Sequence, residues 1–286
     1  MISIIVVTYN RESFIKGCIN SILSQDFNGE LEVIAIDNGS SDNTLQVLKS
    51  FTDQRIKFIA NRTRISLSAC KNLGLQLSRG NIIAFTDDDC LVSKDWLINI
   101  KDSLNYCDFV GGVVLPVSGI KFPWWWRKSL DWLIGINVAP NKKFLPLGSN
   151  IAFKKHVLQK LQDERRDLSV NDKRYLPYVE DNYRIKKALS MGFSMQINPN
   201  IKVYHLIPKQ RLRISYLIKR SIEEGYAQTQ YKTQLKDIIF AFVLLPVNLI
   251  RLLLWLDLNY FFRIIVTLSY IINYIKNEQR CIIRYS

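Results

Sequence analysis

Cysteine is scarce and unpatterned in this chain. The five present, Cys18, Cys70, Cys90, Cys107 and Cys281, show no C-x-x-C spacing, which excludes a disulfide-rich scaffold and fits a reducing compartment. Histidine is scarcer still, with only His156 and His205. Neither G-x-G-x-x-G nor G-x-x-x-x-G-K-[ST] occurs, so the two usual phosphate loops are missing, and with them an ordinary dinucleotide oxidoreductase or P-loop ATPase. The opening MISIIVVTYN lacks a basic segment and runs directly into polar residues, so no secretory leader is expected. There is no internal repeat and no low-complexity tract. Acidic residues are outnumbered, 25 Asp and Glu against 39 Lys and Arg, for a net charge of +14. That surplus favours polyanionic partners, whether nucleic acid, anionic membrane or phosphorylated small molecules, without choosing among them.

Apolar residues are plentiful: 48% of the 286 residues are hydrophobic and 22% charged. This composition belongs to a globular chain of one to two domains with a sizeable core. The charge is uneven. Residues 206–286 carry 12 Lys and Arg against 5 Asp and Glu, and the longest apolar runs fall there too. Basic and apolar character together point to a membrane surface rather than to DNA.

Hydrophobic periodicity predicts strands over 3–9, 32–37, 56–59 and 81–86, alternating with helices. Asn10 and Ser13 are candidate caps for the first helix, Asp42 for the second, and Ser66–Ser78 reads as the third, with Gly80 beyond its end. Such alternation implies a doubly wound α/β sheet, in which ligands bind beyond the carboxyl ends of the strands. Three polar clusters stand at those ends: Thr8–Asn10, Asp37–Gly39 and Asp87–Asp89. Further on, 109–115 reads as a strand, 116–146 as irregular, and 147–153 as a strand leading into a helix near 155–162. Glu180 and Asp181 open a helix ending at Gly192, two short strands follow at 194–197 and 202–206, and a helix runs from about 211 to 232.

Asp87 and Asp89 share a face if the chain stays extended, and two hard carboxylates there suit Mg²⁺ or Mn²⁺. An isolated D-D-D is more simply a solvated acidic turn, but its place after a buried strand, with two other polar clusters at neighbouring strand ends, favours the metal. A carboxylate at Asp37 can bond a nucleotide base or ribose, or simply form the turn before Asn-Gly-Ser.

These segments carry a resemblance. SIIVVTYNRESFIKGCINSILSQ, EVIAIDNGSSDNT, ACKNLGLQLSRGNIIAFTDDDC, GSNIAF, VEDNYRIKKALSMGF and the VYH of 203–205 resemble, in order, the family 2 glycosyltransferases with the GT-A fold. The likeness covers about residues 1–230. It implies a Rossmann-like mixed α/β sheet flanked by helices, and an inverting, metal-assisted transfer of a sugar from a nucleotide-sugar donor to a glycan or lipid-linked acceptor. By this resemblance Thr8, Asn10 and Asp37 hold the nucleotide. Asp87, Asp88 and Asp89 form the D-x-D segment, with Asp89 a metal ligand and Asp87 on ribose or metal. Cys90 stands where many relatives have Asp, and no role is carried over to it. Lys71, where relatives often have Arg, meets the diphosphate. Asp181 matches the general base, which must take the acceptor hydroxyl's proton; its residue type and position also suit a helix cap. Glu180 is a candidate for binding an acceptor hydroxyl. His205 matches a histidine that joins the metal or diphosphate in some relatives, and a histidine after a strand can also be purely structural. Gly148–Asn150 resembles the segment flanking the acceptor.

The expected organisation is a catalytic domain over 1–205, its nucleotide-binding half at about 1–110 and its acceptor half at 111–205, followed by a basic and apolar helical extension over 206–286. In the extension, 238–256 holds 16 apolar residues of 19, near the length needed to span a bilayer, but Arg251 lies within it. Two spans, a re-entrant hairpin, helices lying on the membrane, or helices packed on protein all fit. Trp124–Trp126 suit a sugar, a membrane interface or the core. The expected location is the cytoplasm, at the inner face of the cell membrane, with no specific nucleic-acid partner. Two other functions remain open. A sugar nucleotidyltransferase usually carries a Gly-rich, Arg-containing loop after its first strand, where this chain has TYNRES. A basic polyanion-binding scaffold explains the charge but leaves Asp37, Asp87, Asp89 and Asp181 without purpose.

Overall fold

A computed structural model of the chain describes residues 1–138, 145–163, 177–229, 235–255 and 257–285. It divides into two compact units: Met1–Ser118 with Ile136–Leu206, and Gly119–Gly135 with Ile207–Ser286.

In the first unit the elements run β1 (Ile2–Thr8), α1 (Ile15–Leu23), β2 (Leu31–Asp37), α2 (Thr44–Lys49), β3 (Ile56–Ala60), α3 (Leu67–Leu77), β4 (Ile82–Asp87), β5 (Cys90–Val92), α4 (Trp96–Ser103), β6 (Phe109–Pro116), β7 (Ile151–Lys154), α5 (Lys155–Asp163), α6 (Pro177–Ser190) and β8 (Met195–His205). Among the described residues the strands form one sheet in the order β3-β2-β1-β4-β7-β6-β8-β5. β3, β2, β1 and β4 are mutually parallel, which is the predicted doubly wound half. β7 then runs antiparallel to both β4 and β6, making the sheet mixed.

β1 and β2 are buried on both faces, which explains their nearly unbroken apolar sequence. Successive side chains go to opposite sides. Ile4 and Val6 join Cys18, Ile19, Trp96 and Ile100 in one core layer. Ile5 joins Cys70, Phe85, Phe153 and Ile185 in the other. Charge is buried within this framework at Glu32. Glu32, 1% exposed, receives Ser3 Oγ at 2.7 Å, Arg79 N at 2.6 Å and Lys57 Nζ at 3.0 Å. Burial pushes its carboxyl up, but these donors outweigh it and hold the pKa at about 2.

Several boundaries differ from expectation. Neither Asn10 nor Ser13 caps α1; its N-cap is Phe14, without a side-chain bond. Asp42 accepts the Thr44 N–H at 3.0 Å from one residue before the cap of α2. Ser66 does cap α3, accepting from Ala69 N at 3.1 Å. α6 begins at Pro177, so Asp181 lies inside the helix and is not its cap. The two short strands expected at 194–206 are one strand, β8. Its register against β6 slips between Gly111 and Val113, the first facing Ile197 and the second Lys202. Asn150 closes that slip. Fully buried, it donates to Val113 O at 2.8 Å and Ile201 O at 2.9 Å and accepts from Trp96 Nε1 at 2.9 Å. A Cβ at Gly112 would collide with Ile201 O and the Asn150 amide, so only glycine fits there.

The second unit contains α7 (Ile214–Gln228), α8 (Leu235–Trp255) and α9 (Leu258–Tyr285), with 3₁₀ turns at Lys128–Ile134 and Lys209–Leu212. The expected helix over 211–232 is α7 preceded by a 3₁₀ turn; 230–234 lie outside the described residues. Ser269 Oγ on α9 donates to Ile222 O on α7 at 2.8 Å. Trp132 Nε1 donates to Asn259 Oδ1 at 3.0 Å. Asp237–Trp255 and Leu258–Lys276 are each long and apolar enough to cross a membrane. α8 turns Ile239, Phe240, Val243, Ile250, Leu253 and Leu254 outward, all exposed. Of the three tryptophans, Trp124 is exposed, while Trp126 Nε1 bonds Asp131 at 3.0 Å.

Candidate active site

The parallel register sets the site. Thr8 pairs with Asp37 across β1 and β2, and Val7 with Asp87 across β1 and β4. The last residues of three strands therefore stand abreast at the carboxyl edge, where a doubly wound sheet binds its ligands.

On the first side the loops after β1 and β2 are laced together. Asn10, with φ +52°, accepts from Ser41 N at 2.8 Å through its side chain and donates its own N–H to Ser40 Oγ at 2.9 Å. Asn is among the few residues that accept this left-handed backbone. Asp37 is buried and bonded to the Ser40 hydroxyl. Arg11 N reaches Thr44 Oγ1 at 2.7 Å.

In the centre, Asp87 ends β4, and Asp88 and Asp89 turn the chain into β5. β5 pairs antiparallel with β8, making Cys90 and His205 Cα partners. His205 Nε2 consequently lies 3.3 Å from Asp89 Oδ1. Ligand atoms of Asp89, Cys90 and His205, all buried, lie within 4.8 Å of one another. An oxygen, an imidazole nitrogen and a thiol so disposed are a donor set that a divalent cation can use. Burial pushes the Cys90 thiol well up, Asp87 and Asp89 adding to it. Arg11 approaches the same turn, 3.5 Å from Asp88 and 4.0 Å from Asp89. Burial, then Asp89, raise Asp88 to about 7 against the pull of Arg11. Asp87 opens to solvent in the cleft but is surrounded by protein. That crowding and then Asp89 raise it to about 6, while Lys71 pulls the other way.

On the far side, Asp181 projects from α6. Its Oδ1 lies 2.7 Å from Lys71 Nζ on α3. Its carboxylate also fills the space where a Cβ of Gly148 would stand. Phe85 presents its ring to Lys71 and to Arg184, each 5.5 Å from the centroid. Asp181 touches Lys71, Lys71 lies beside Phe85 on β4 just before Asp87, and His205 lies beside Asp89 just after it, so these residues surround the end of β4.

The structure thus gathers Thr8, Asn10, Asp37, Lys71, Asp87, Asp88, Asp89, Asp181 and His205 at one edge. The side chain of Glu180 lies outside the described residues. Of Gly148–Asn150, Gly148 adjoins Asp181, whereas Asn150 is spent on the β6–β8 slip. Arg11 and Cys90 carried no expected role. Arg11 was legible only as the residue after Asn10, and Cys90 only as a departure from the D-x-D pattern of relatives.

A family model described as "Glycosyl transferase family 2" matches residues 3–162. The chain is 24% identical over 238 residues to a glucosyl-dolichyl phosphate glucuronosyltransferase of Haloferax volcanii, covering 79% of this chain and 76% of that one. It is 34% identical over 99 residues to the UDP-Glc:alpha-D-GlcNAc-diphosphoundecaprenol beta-1,3-glucosyltransferase WfgD of Escherichia coli, covering 35% and 37%. Among solved structures it resembles the mannosyltransferase PcManGT of Pyrobaculum calidifontis, in complex with GDP-Man and Mn²⁺ (TM-score 0.61, 21% identity, 94% of this chain and 69% of that one). It also resembles S. aureus TarS 1–349 in complex with UDP-GlcNAc (TM-score 0.56, 15% identity, 97% and 91%). These structural likenesses show the GT-A fold.

Proposed function

This chain belongs to glycosyl transferase family 2, and on that premise we propose that it moves a sugar from a nucleotide-sugar donor to a hydroxyl of a glycan or lipid-linked saccharide, with inversion at the anomeric carbon. The observation that carries this reading is the gathering of Asp37, Asp87, Asp88, Asp89, Asp181 and His205 around the edge where β1, β2 and β4 end. A polyanion scaffold leaves that carboxylate cluster unused, and TYNRES after β1 is not the Gly-rich, Arg-containing loop of a sugar nucleotidyltransferase. The names of the archaeal and E. coli relatives support a lipid-linked acceptor.

In this reading Thr8, Asn10 and Asp37 hold the nucleoside, Asp88 lies on the donor side, and Asp87 meets ribose or metal. The residues present fit a divalent cation, Mn²⁺ or Mg²⁺. Asp89 and His205 would hold it with Asp87, and the 3.3 Å approach of His205 to Asp89 supports that pairing. When bound, the cation offsets charge growing on the departing diphosphate. Lys71 adds a positive charge toward the same group. Asp181 takes the proton of the acceptor hydroxyl as its oxygen bonds to the anomeric carbon. The bond from that carbon to the diphosphate oxygen breaks in the same displacement, which inverts the centre. Glu180 is assigned to an acceptor hydroxyl.

Residues 1–205 would form the catalytic part and 206–286 a membrane-associated extension at the inner face of the cell membrane. The exposed apolar side of α8 supports contact with lipid, and Lys209, Arg211, Arg213, Lys219 and Arg220 would meet anionic headgroups or a lipid diphosphate.

Calorimetric titration with UDP, GDP and dTDP, with and without Mn²⁺, tests the reading. Metal-dependent binding of one of them, lost in Asp89→Ala, is expected. No binding by the folded protein would overturn it, in favour of a lipid-phosphate donor, a degenerate transferase or the scaffold.

A further inference from the structure

We infer that Lys71 is a positioning residue that serves two partners in turn: it holds the Asp181 carboxylate until the donor arrives, then moves to the donor diphosphate and releases Asp181 to act as base. This rests on the proposed roles of Asp181 and the donor site.

The contact is a close one in a nearly dry place. Lys71 Nζ lies 2.7 Å from Asp181 Oδ1, with the two side chains 5% and 18% exposed. One carboxylate oxygen is therefore engaged by an ammonium. The carboxylate as a whole lies against Gly148, where a Cβ would overlap it. A base held in this way is poorly disposed to receive an acceptor proton.

The lysine is also poised to leave. Its Nζ also lies 5.5 Å from the ring of Phe85, two residues before Asp87 on β4, so the ammonium touches the base from beside the strand that ends in the D-x-D turn. A diphosphate brought to that turn carries more negative charge than one carboxylate and offers several acceptor oxygens, so it competes well for a cation. Lysine is suited to the exchange. It is a point charge on a flexible four-carbon stem, whereas an arginine fork would be fixed by its planar geometry. The Phe85 ring, 5.5 Å from Nζ, gives the ammonium a second favourable surface beside Asp181.

The consequence is an order of events. Donor binding unlocks the base, and an acceptor arriving first meets a carboxylate already in use.

The test is zero-length cross-linking of the full chain with a water-soluble carbodiimide, which joins a carboxylate to a touching amine with loss of water. Glycine ethyl ester is added as a competing amine, and peptides are read by mass spectrometry. Without nucleotide, a Lys71–Asp181 cross-link is expected. With Mn²⁺ and whichever of UDP, GDP or dTDP binds, the cross-link should be lost and ester labelling of Asp181 should rise. The matching nucleoside, lacking phosphates, should change neither. A cross-link that persists with nucleotide bound overturns the exchange, as does its loss with no rise in labelling, which would mean simple shielding. Calorimetry on the same sample separates the two levels. Nucleotide binding with a persistent cross-link overturns the exchange alone, while absence of all binding overturns both it and the donor-site reading.

Discussion

His205 Nε2 stands 3.3 Å from Asp89 Oδ1 because Cys90 and His205 are Cα partners across β5 and β8. A three-residue strand brings together side chains that are 116 positions apart in the chain. His205→Ala is expected to weaken Mn²⁺-dependent nucleotide binding roughly 10- to 100-fold while metal-independent binding changes little. Titration at several Mn²⁺ concentrations measures this, and equal affinities would remove His205 from the site.

Asp181→Asn preserves size but cannot take a proton. It should bind nucleotide at least as tightly as wild type, since Lys71 then has no carboxylate to leave, and lose about 10²- to 10⁴-fold in transfer rate. Transfer within a few-fold of wild type would exclude Asp181 as the base.

Gly148→Ala places a methyl group where the Asp181 carboxylate lies. Overpacking of this kind costs about 1–3 kcal/mol. The variant should show a lowered Tm and a loss of transfer larger than its loss of nucleotide binding, since the collision is with Asp181 and not with the β1–β2 loops.

Glu32 links stability to pH. Its folded pKa of about 2 lies below the ordinary 4.5. The stabilisation it gives is therefore complete above pH 4.5 and fades as pH falls toward 2. The shift corresponds to about 3 kcal/mol. Urea denaturation should find Glu32→Gln less stable than wild type at pH 7, with the gap closing as pH falls below 4.5. A gap that is constant with pH would show that the bonds, and not the charge, matter.

Deleting residues 238–286 should move the protein from the membrane fraction to the soluble fraction. Full-length protein that stays soluble without detergent would end the membrane reading.

The parallel half of the sheet was legible because its strands are buried on both faces and so write continuous apolar runs. The Ser66 cap was legible because capping is local. The Asp87–Asp89 turn could be found for the same reason: it follows a strand directly. What escaped depends on partners far along the chain. β5 is too short to show a period, and its pairing is set by β8. Asp181 looked like a helix cap because the carboxylate pair was read as the start of α6, although Pro177 is a residue favoured at a helix's first position. Its contact with Lys71 spans 110 positions. Arg11 shows no pattern of its own; only the fold carries it to Asp88.

Asn150 bonds Trp96, Val113 and Ile201, and the His205 side of the cleft depends on its side chain. It clamps the slip between β6 and β8, and everything after the slip, through to His205, takes its facing from that count of residues. In a strand, one residue more or fewer turns each later side chain to the opposite face. A single-codon insertion or deletion in the paired stretch 202–204, between the slip and His205, would do this most directly. It would leave every cleft residue present in the sequence while turning the histidine away from Asp89. In comparing related genes, the length of this segment is a better guide to a working cleft than the presence of the histidine.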